Sequence, residues 1–468
     1  MTDPMKDLVV LIPGIGGSVL QRDGHDIWAF SAGAALRGVL SLGESVKRLE
    51  LHGDDPVAPD LGDGLKATRL MPDLHVVPGL GWKIDGYTKI KERLFQRFDC
   101  RAGHNYFEFP YDWRRDNRAA ARLLAVAAKG WLKSWREESG HADAKLVLLG
   151  HSMGGIVARF FLESAELEGW KDTRTLITFG TPYSGSLNAL DFLVNGFKKG
   201  FGPFSINLSP MLRSFTSVYQ LLPSYRCLEG PNDTWLRLDD VDWAGTGIDD
   251  GRLKTAIKLQ RDLRSAVDAR IAVTGRGYDV RPVVGDFQDT GWAARSTGKS
   301  IEVMAFRRPE EEGGDGTVPK VSAVPHESLA GWVNATFVAQ KHGSLQNDEP
   351  VFNHLAGVLR SDPIGPDVFP AADDAIALEV DDVTTEEPFV VRARPAQGGT
   401  ELRAVVTPLG GGKARSEKLH ATADGWHELV VTGLPARDYR VSVNAVGSRT
   451  VTDVASVIDL AEVAAASG

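Results

Sequence analysis

Short runs of branched apolar residues recur along the first three quarters of the chain. Several of the stretches between them repeat their apolar positions every three or four residues. Leu8 to Ile12, Tyr106 to Phe109, Leu146 to Leu149, Thr175 to Phe179, Ile271 to Thr274 and Ile301 to Phe306 read as buried strands. Asn117 to Ser139 and Met153 to Leu167 read as helices, the second with Ile156, Phe160 and Phe161 at core-facing spacing. This alternation predicts an α/β fold, a mostly parallel sheet with helices on both faces. Two excursions, about 21–90 and about 185–270, are too long for plain connections and are expected to form a cap and a lid over the strand ends.

Near Ser361-Asp-Pro-Ile-Gly-Pro-Asp-Val-Phe-Pro370 the texture changes, and the three prolines and a glycine mark a linker at 363–372. Short alternating runs follow: Ala375 to Val380, Phe389 to Ala393, Leu402 to Val406, Trp426 to Thr432, Tyr439 to Ala445 and Thr450 to Leu460. Strands at that interval predict a small all-β sandwich of immunoglobulin-like type over 373–468, after an α/β domain over 1–362.

A chain of 468 residues has room for more than one core. Its net charge of −9 argues against broad nucleic-acid binding and against general attraction to anionic lipid. Residues 371–468 carry 15 acidic and nine basic side chains, so about −6 of that charge belongs to the C-terminal part. No run approaches the ~20 apolar residues of a membrane span, and the start of the chain shows no apolar segment with a cleavage site. Two cysteines, Cys100 and Cys227, make no disulfide framework, so a cytoplasmic setting is expected.

The chemistry centres on Lys145-Leu-Val-Leu-Leu-Gly-His-Ser-Met-Gly-Gly155, a strand running into a glycine-bracketed serine and then a helix. That context is the nucleophile elbow of an α/β-hydrolase, with Ser152 as the candidate nucleophile and Gly150 and Gly154 relieving crowding around it. In such folds the acid and the histidine follow the serine along the chain, which leaves His326, His342, His354, His420 and His427 of the eleven histidines. The last two belong to the β part, His354 reads as a solvated helix residue, and His326 sits too close behind the best acid. His342 follows the apolar run Trp332 to Val338 and precedes a helix. Asp315, between glycines in Gly313-Gly-Asp-Gly-Thr-Val-Pro319, reads as a carboxylate held on a tight turn, with a plain surface turn or a calcium loop as its other readings. The backbone N–H groups of Met153 and of Ile15, in Leu11-Ile-Pro-Gly-Ile-Gly-Gly-Ser18, are the candidate oxyanion donors. This chemistry calls for no metal or other cofactor.

Several ordered segments together resemble the lecithin:cholesterol acyltransferase-like branch of the α/β-hydrolases, which includes phospholipases and phospholipid:diacylglycerol acyltransferases. They are Pro13-Gly-Ile-Gly-Gly-Ser18, Tyr111-Asp-Trp-Arg114, Gly150-His-Ser-Met-Gly-Gly155, Gly180-Thr-Pro-Tyr-Ser-Gly-Ser186, Gly314-Asp-Gly-Thr-Val318 and Lys341-His-Gly. Ser217-Val-Tyr-Gln-Leu-Leu-Pro223 is similar to the family's lid segment. The resemblance implies hydrolysis or acyl transfer on a lipid-like ester through an acyl-Ser152 intermediate. Phe204, Phe215, Leu221 and Leu222 in the lid either bind acyl chains or pack the lid onto the core. Asp112 and Arg114 read as a structural ion pair. The β part lies outside the family pattern and offers a surface for a protein partner or for self-association. A second reading of the whole chain is therefore a partner-regulated effector or adaptor with a gated or inert hydrolase fold.

Overall fold

The computed structural model describes residues 2–29, 48–72, 75–76, 83–201, 204–305, 313–329, 334–360, 375–397, 399–445 and 450–460. Six strands form the main sheet: β1 (Leu8–Ile12), β2 (Tyr106–Glu108), β3 (Leu146–His151), β4 (Thr173–Phe179), β5 (Asp279–Gly285) and β6 (Thr336–Val338). Their order is β6-β5-β4-β3-β1-β2, and every neighbouring pair is parallel. The chain steps from β1 to β2 on one side, then crosses back to β3 and continues outward to β6. The order therefore reverses between β1 and β3, and the crevice beyond their carboxyl ends is where open α/β sheets hold ligands.

Helices cover the sheet for reasons legible in their sequences. Helix α1 (Asn117–Ser139) starts where the Asp116 carboxylate accepts the Arg118 N–H and stops at Gly140, whose φ of 73° is left-handed. Ala121, Leu124, Ala128, Leu132 and Trp135 form its buried stripe. Helix α2 (Met153–Glu163) is buried on all sides, between the sheet, α1 and the long helix α3 (Asp250–Thr274). Helix α4 (Glu349–Leu359) follows β6, capped by Asp348.

Two strand expectations are corrected. Ile271 to Thr274 is the last turn of α3, a 25-residue helix, and Val273 there is exposed; a short apolar run cannot by itself distinguish a strand from a helix end. The next sheet strand is β5, eight positions later in the chain. Ile301–Met304 is a strand, but it pairs antiparallel with Ala293–Ser296 in a separate four-stranded sheet. Phe306, Trp332 and the expected linker 363–372 lie outside the described residues. The expected cap includes a three-stranded antiparallel sheet of Ser18–Arg22, His25–Trp28 and Leu65–Leu70, and the expected lid includes the short helices Ser209–Ser214 and Thr216–Gln220.

The C-terminal β region forms two sheets around its own apolar cluster. One contains Ile376–Val380, Phe389–Pro395, His427–Val431 and His420–Ala421; the other contains Val383–Thr384, Val451–Ile458, Arg437–Ala445, Leu402–Pro408 and Arg415–Lys418. Tyr439 Oη donates to Pro435 O at 2.9 Å, a corner contact found in immunoglobulin-like sandwiches.

Candidate active site

Ser152 sits where β3 ends and α2 begins, with φ 51° and ψ −123°, a conformation that costs a non-glycine residue on the order of 1–3 kcal/mol. Its surroundings hold it there. The Ser152 N–H donates to Phe179 O at 2.9 Å, and Thr181 Oγ1 donates to Ser152 O at 2.9 Å. The flanking glycines serve the approach of helix to strand rather than clearance around the serine. A Cβ on Gly154 would stand 2.3 Å from Ile12 O, and one on Gly150 would stand 2.7 Å from Gly155 Cα. Gly14 is the position whose Cβ would meet the serine itself, 2.9 Å from Ser152 Cβ.

Asp315 and His342 lie in the loops near the ends of β5 and β6. Asp315 Oδ1 accepts the N–H groups of Thr317 at 2.9 Å and Val318 at 2.7 Å, which locks the carboxylate and leaves Oδ2 for His342 Nδ1 at 2.7 Å. A carboxylate can only accept, so Nδ1 carries the proton and Nε2 is the acceptor that faces Ser152 Oγ, 2.9 Å away. The two loops are joined through their backbones, His342 N–H to Asp315 O at 2.9 Å. Gly180, with φ 58°, leaves room for the pair; a Cβ there would fall 2.7 Å from Asp315 Oδ2 and 2.8 Å from His342 Nδ1.

Two residues were not singled out by their sequence. His151 is fully buried beside Ser152; its Nε2–H donates to His342 O at 3.1 Å, which makes Nδ1 the acceptor of the Tyr87 hydroxyl at 2.9 Å. Tyr87 Oη in turn accepts the Gly14 N–H at 2.9 Å. Burial and the neighbouring His342 push His151 down to about 3, so it stays neutral while it links the loop after β1 to the backbone of His342. Its place inside the Gly-x-Ser-x-Gly pentapeptide was the available signal, but Tyr87 arrives from 64 residues away.

The serine opens into a cavity of about 100 Å³. Gly14, Ile15, His151, Ser152 and His342 form its floor, and Ala189, Phe192, Val218, Leu221 and Val318 form apolar walls. Of the expected lid contacts, Leu221 faces this space. Phe215 is instead buried edge-on against Trp113 with ring centroids 5.6 Å apart, and Leu222 is fully buried in the core, so both pack the lid down. Phe204 begins the short strand Phe204–Asn207, and its side chain lies outside the described residues. Met153 is fully buried in the first turn of α2.

Two of the other candidate histidines are engaged elsewhere. His326 pairs with Asp268 at 2.8 Å and Glu327 at 3.2 Å. His354 is half-buried rather than solvated, with Nε2 3.2 Å from Thr336 Oγ1. Arg114 is completely buried between Asp112 and Asp63 at 2.6 and 2.8 Å. Among the described residues no group of three or more His, Cys, Asp or Glu side chains is placed to hold a metal ion, and no helix is long and apolar enough to cross a membrane.

Comparison with known proteins places these observations. Residues 82–257 match the family model for lecithin:cholesterol acyltransferase. The chain has an α/β-hydrolase fold, with weak similarity to lecithin:cholesterol acyltransferase-like lipases and phospholipases. It is 25% identical to lecithin-cholesterol acyltransferase-like 4 of Arabidopsis thaliana over 281 residues, covering 52% of this chain and 48% of the relative. It is 25% identical to phospholipase A(1) LCAT3 of the same plant over 260 residues, covering 50% of this chain and 55% of the relative. The chain thus spans about half the length of the curated relatives it matches. Among solved structures it is similar to the Tle4–Tli4 complex, at 16% identity and a TM-score of 0.48, covering 77% of this chain and 99% of the other.

Proposed function

We propose that this chain is a serine hydrolase or O-acyltransferase that acts on lipid-like esters. The observation that carries the reading is the hydrogen-bonded series Ser152–His342–Asp315 at the sheet's switch point. His342 Nε2 takes the Ser152 proton as Oγ attacks the ester carbonyl, and Asp315 stabilises the imidazolium that forms. The carbonyl oxygen becomes an oxyanion, received by the N–H groups of Ile15 and Met153. The bond to the leaving alcohol then breaks, and the alcohol leaves with the proton returned by His342. Water or a second alcohol, deprotonated by the same histidine, attacks the acyl-serine and releases acid or a new ester.

The apolar walls at Phe192, Val218 and Leu221 support an acyl chain as the group held beside Ser152. The similarity to chains named as acyltransferase-like and as a phospholipase A(1) supports a lipid-like substrate. In this reading residues 1–362 are the catalytic domain and 373–468 an accessory β domain. Two cysteines in 468 residues, Cys100 and Cys227, both buried, fit a reducing compartment, the cytoplasm. A fluorophosphonate probe, with detergent or lipid present, is expected to label Ser152, and Ser152→Ala is expected to lose ester turnover. A Ser152→Ala protein that retains full turnover refutes the assignment.

A further inference from the structure

The C-terminal sandwich meets the loop that carries the base, and the segment bridged to the turn that carries the acid, through one buried glutamine in each. Gln288 lies three residues past β5 and bridges through its backbone to the Asp315 turn, its N–H donating to Gly314 O at 3.0 Å. Its side chain turns to the sandwich, where Nε2 donates to Ile376 O at 2.9 Å and Oε1 accepts Leu378 N–H at 3.1 Å. Gln340 lies two residues before His342. Its Oε1 accepts Thr452 N–H at 3.1 Å and Lys341 N–H at 3.0 Å, and its Nε2 donates to Asp348 at 3.1 Å and approaches Thr450 O at 3.5 Å. A third tie runs from Arg440 to the Asp85 carboxylate at 2.5 Å, and from Asp85 N–H to Gly343 O at 2.9 Å.

These contacts matter because the sandwich's apolar cluster is its own and does not merge with the cluster under the main sheet. A buried amide must find partners or leave polar atoms stranded away from water. Gln288, 1% exposed, meets that demand with backbone of the sandwich at both ends of its amide, and Gln340, 3% exposed, meets it by joining the sandwich's Thr452 N–H to Lys341 N–H and the Asp348 carboxylate on its own side. Donor and acceptor at the two ends of one amide fix a loop in two directions, as a rung fixes two strands.

We propose that Gln288 and Gln340 are positioning residues through which the C-terminal sandwich holds Asp315 and His342 in register with Ser152, so that the sandwich is a working part of the active site. The kinetic consequence rests on the serine-hydrolase reading; the geometric one does not.

The test uses the full chain with Gln288→Met and Gln340→Met, near-isosteric changes that delete the amide contacts, and Val431→Ala in the sandwich core as the destabilised control. With p-nitrophenyl butyrate, each methionine variant is expected to lose roughly 10- to 100-fold in kcat while KM stays within about twofold, and the control to keep its kcat. In proton NMR without substrate, the low-field resonance of the His342 Nδ1–H bonded to Asp315 is expected to shift or vanish in both variants and to persist in the control. Gln340→Glu, which keeps an acceptor for the Thr452 and Lys341 N–H groups but sets a carboxylate oxygen against Asp348 and Thr450 O in place of the amide donor, serves if the methionine variant does not fold, and shows a loss of the same kind. An unchanged resonance, or an unchanged kcat in an active enzyme, overturns the proposal. If the wild type hydrolyses no ester, the functional reading falls and the resonance alone decides this one.

Discussion

Gly154→Ala tests how closely the two halves of the proposed oxyanion site must approach. The added Cβ would stand 2.3 Å from Ile12 O and 2.6 Å from Pro13 O. Both are backbone atoms at the end of β1, so no side chain can swing aside. To reach the 3.0 Å below which Cβ contacts essentially never occur, α2 and the end of β1 must part by 0.7 Å. The donors assigned to Ile15 and Met153 ride on opposite sides of that separation. A misplacement of about 1 Å costs on the order of 100-fold in rate, or about 2.7 kcal/mol of transition-state stabilisation. Overpacking removes a further ~1–3 kcal/mol of stability. The assay is paired: kcat for p-nitrophenyl butyrate and the rate of fluorophosphonate labelling at Ser152, with a thermal melt on the same sample. Both rates should fall by roughly 100-fold while the protein remains folded at 25 °C. A folded Gly154→Ala enzyme whose two rates stay within about threefold of wild type refutes the argument, because the glycine would then not govern the donor positions.

Gly130 gives the opposite expectation. It lies on the exposed side of α1 with nothing within 4 Å of an added Cβ, so Gly130→Ala should stabilise the protein by ~0.5–1 kcal/mol in urea unfolding and leave kcat unchanged. His151 should impose a pH dependence on stability. Its folded value, about 3, lies below the 6.5 of an exposed histidine, so between these limits the unfolded chain binds a proton that the folded protein excludes. Stability from this residue is complete above pH 6.5 and falls toward pH 3 by up to ~1.4 kcal/mol per unit. Comparing wild type with His151→Gln between pH 7 and 4 isolates this contribution. Parallel stability curves for the two proteins would contradict the placement of His151 as a buried neutral group.

What could be read from the sequence was local. Helix α1 has its aspartate cap, apolar stripe and terminal glycine within one continuous stretch, and the expected Asn117 to Ser139 coincides with the observed helix. The strand–serine–helix junction is similarly self-contained. The order of elements left few histidines after Ser152, and in the structure His342 is the one that reaches it. Failures occurred where a short apolar run had to be read without its partner, as at Ile271 to Thr274. They also occurred where a role is conferred by residues distant in the chain. Tyr87 meets His151, Gln288 meets Ile376 and Gln340 meets Thr452 across separations that no periodicity encodes. The lid residues stayed open between two roles for a related reason: Phe215, Leu221 and Leu222 are all apolar, and only packing separates the one that faces the cavity from the two that anchor the lid.

The position of the sandwich follows from a weakness in the sheet. Among the described residues strand β6 lies at the edge, is three residues long and has only β5 as a ladder partner, yet His342, the proposed base, emerges four residues after it. So short an edge strand contributes few ladder bonds, and the loop leaving it cannot inherit the rigidity that β3 gives Ser152 from two flanking strands. The missing constraint comes from outside the sheet. Asp315 O receives the His342 N–H, Asp85 N–H engages Gly343, and Gln340 ties the loop to Thr452. A serine on a central strand can be placed by the sheet alone; a histidine beyond a short edge strand needs a second body against it. The acidic β region fills that role from the side on which the sheet ends.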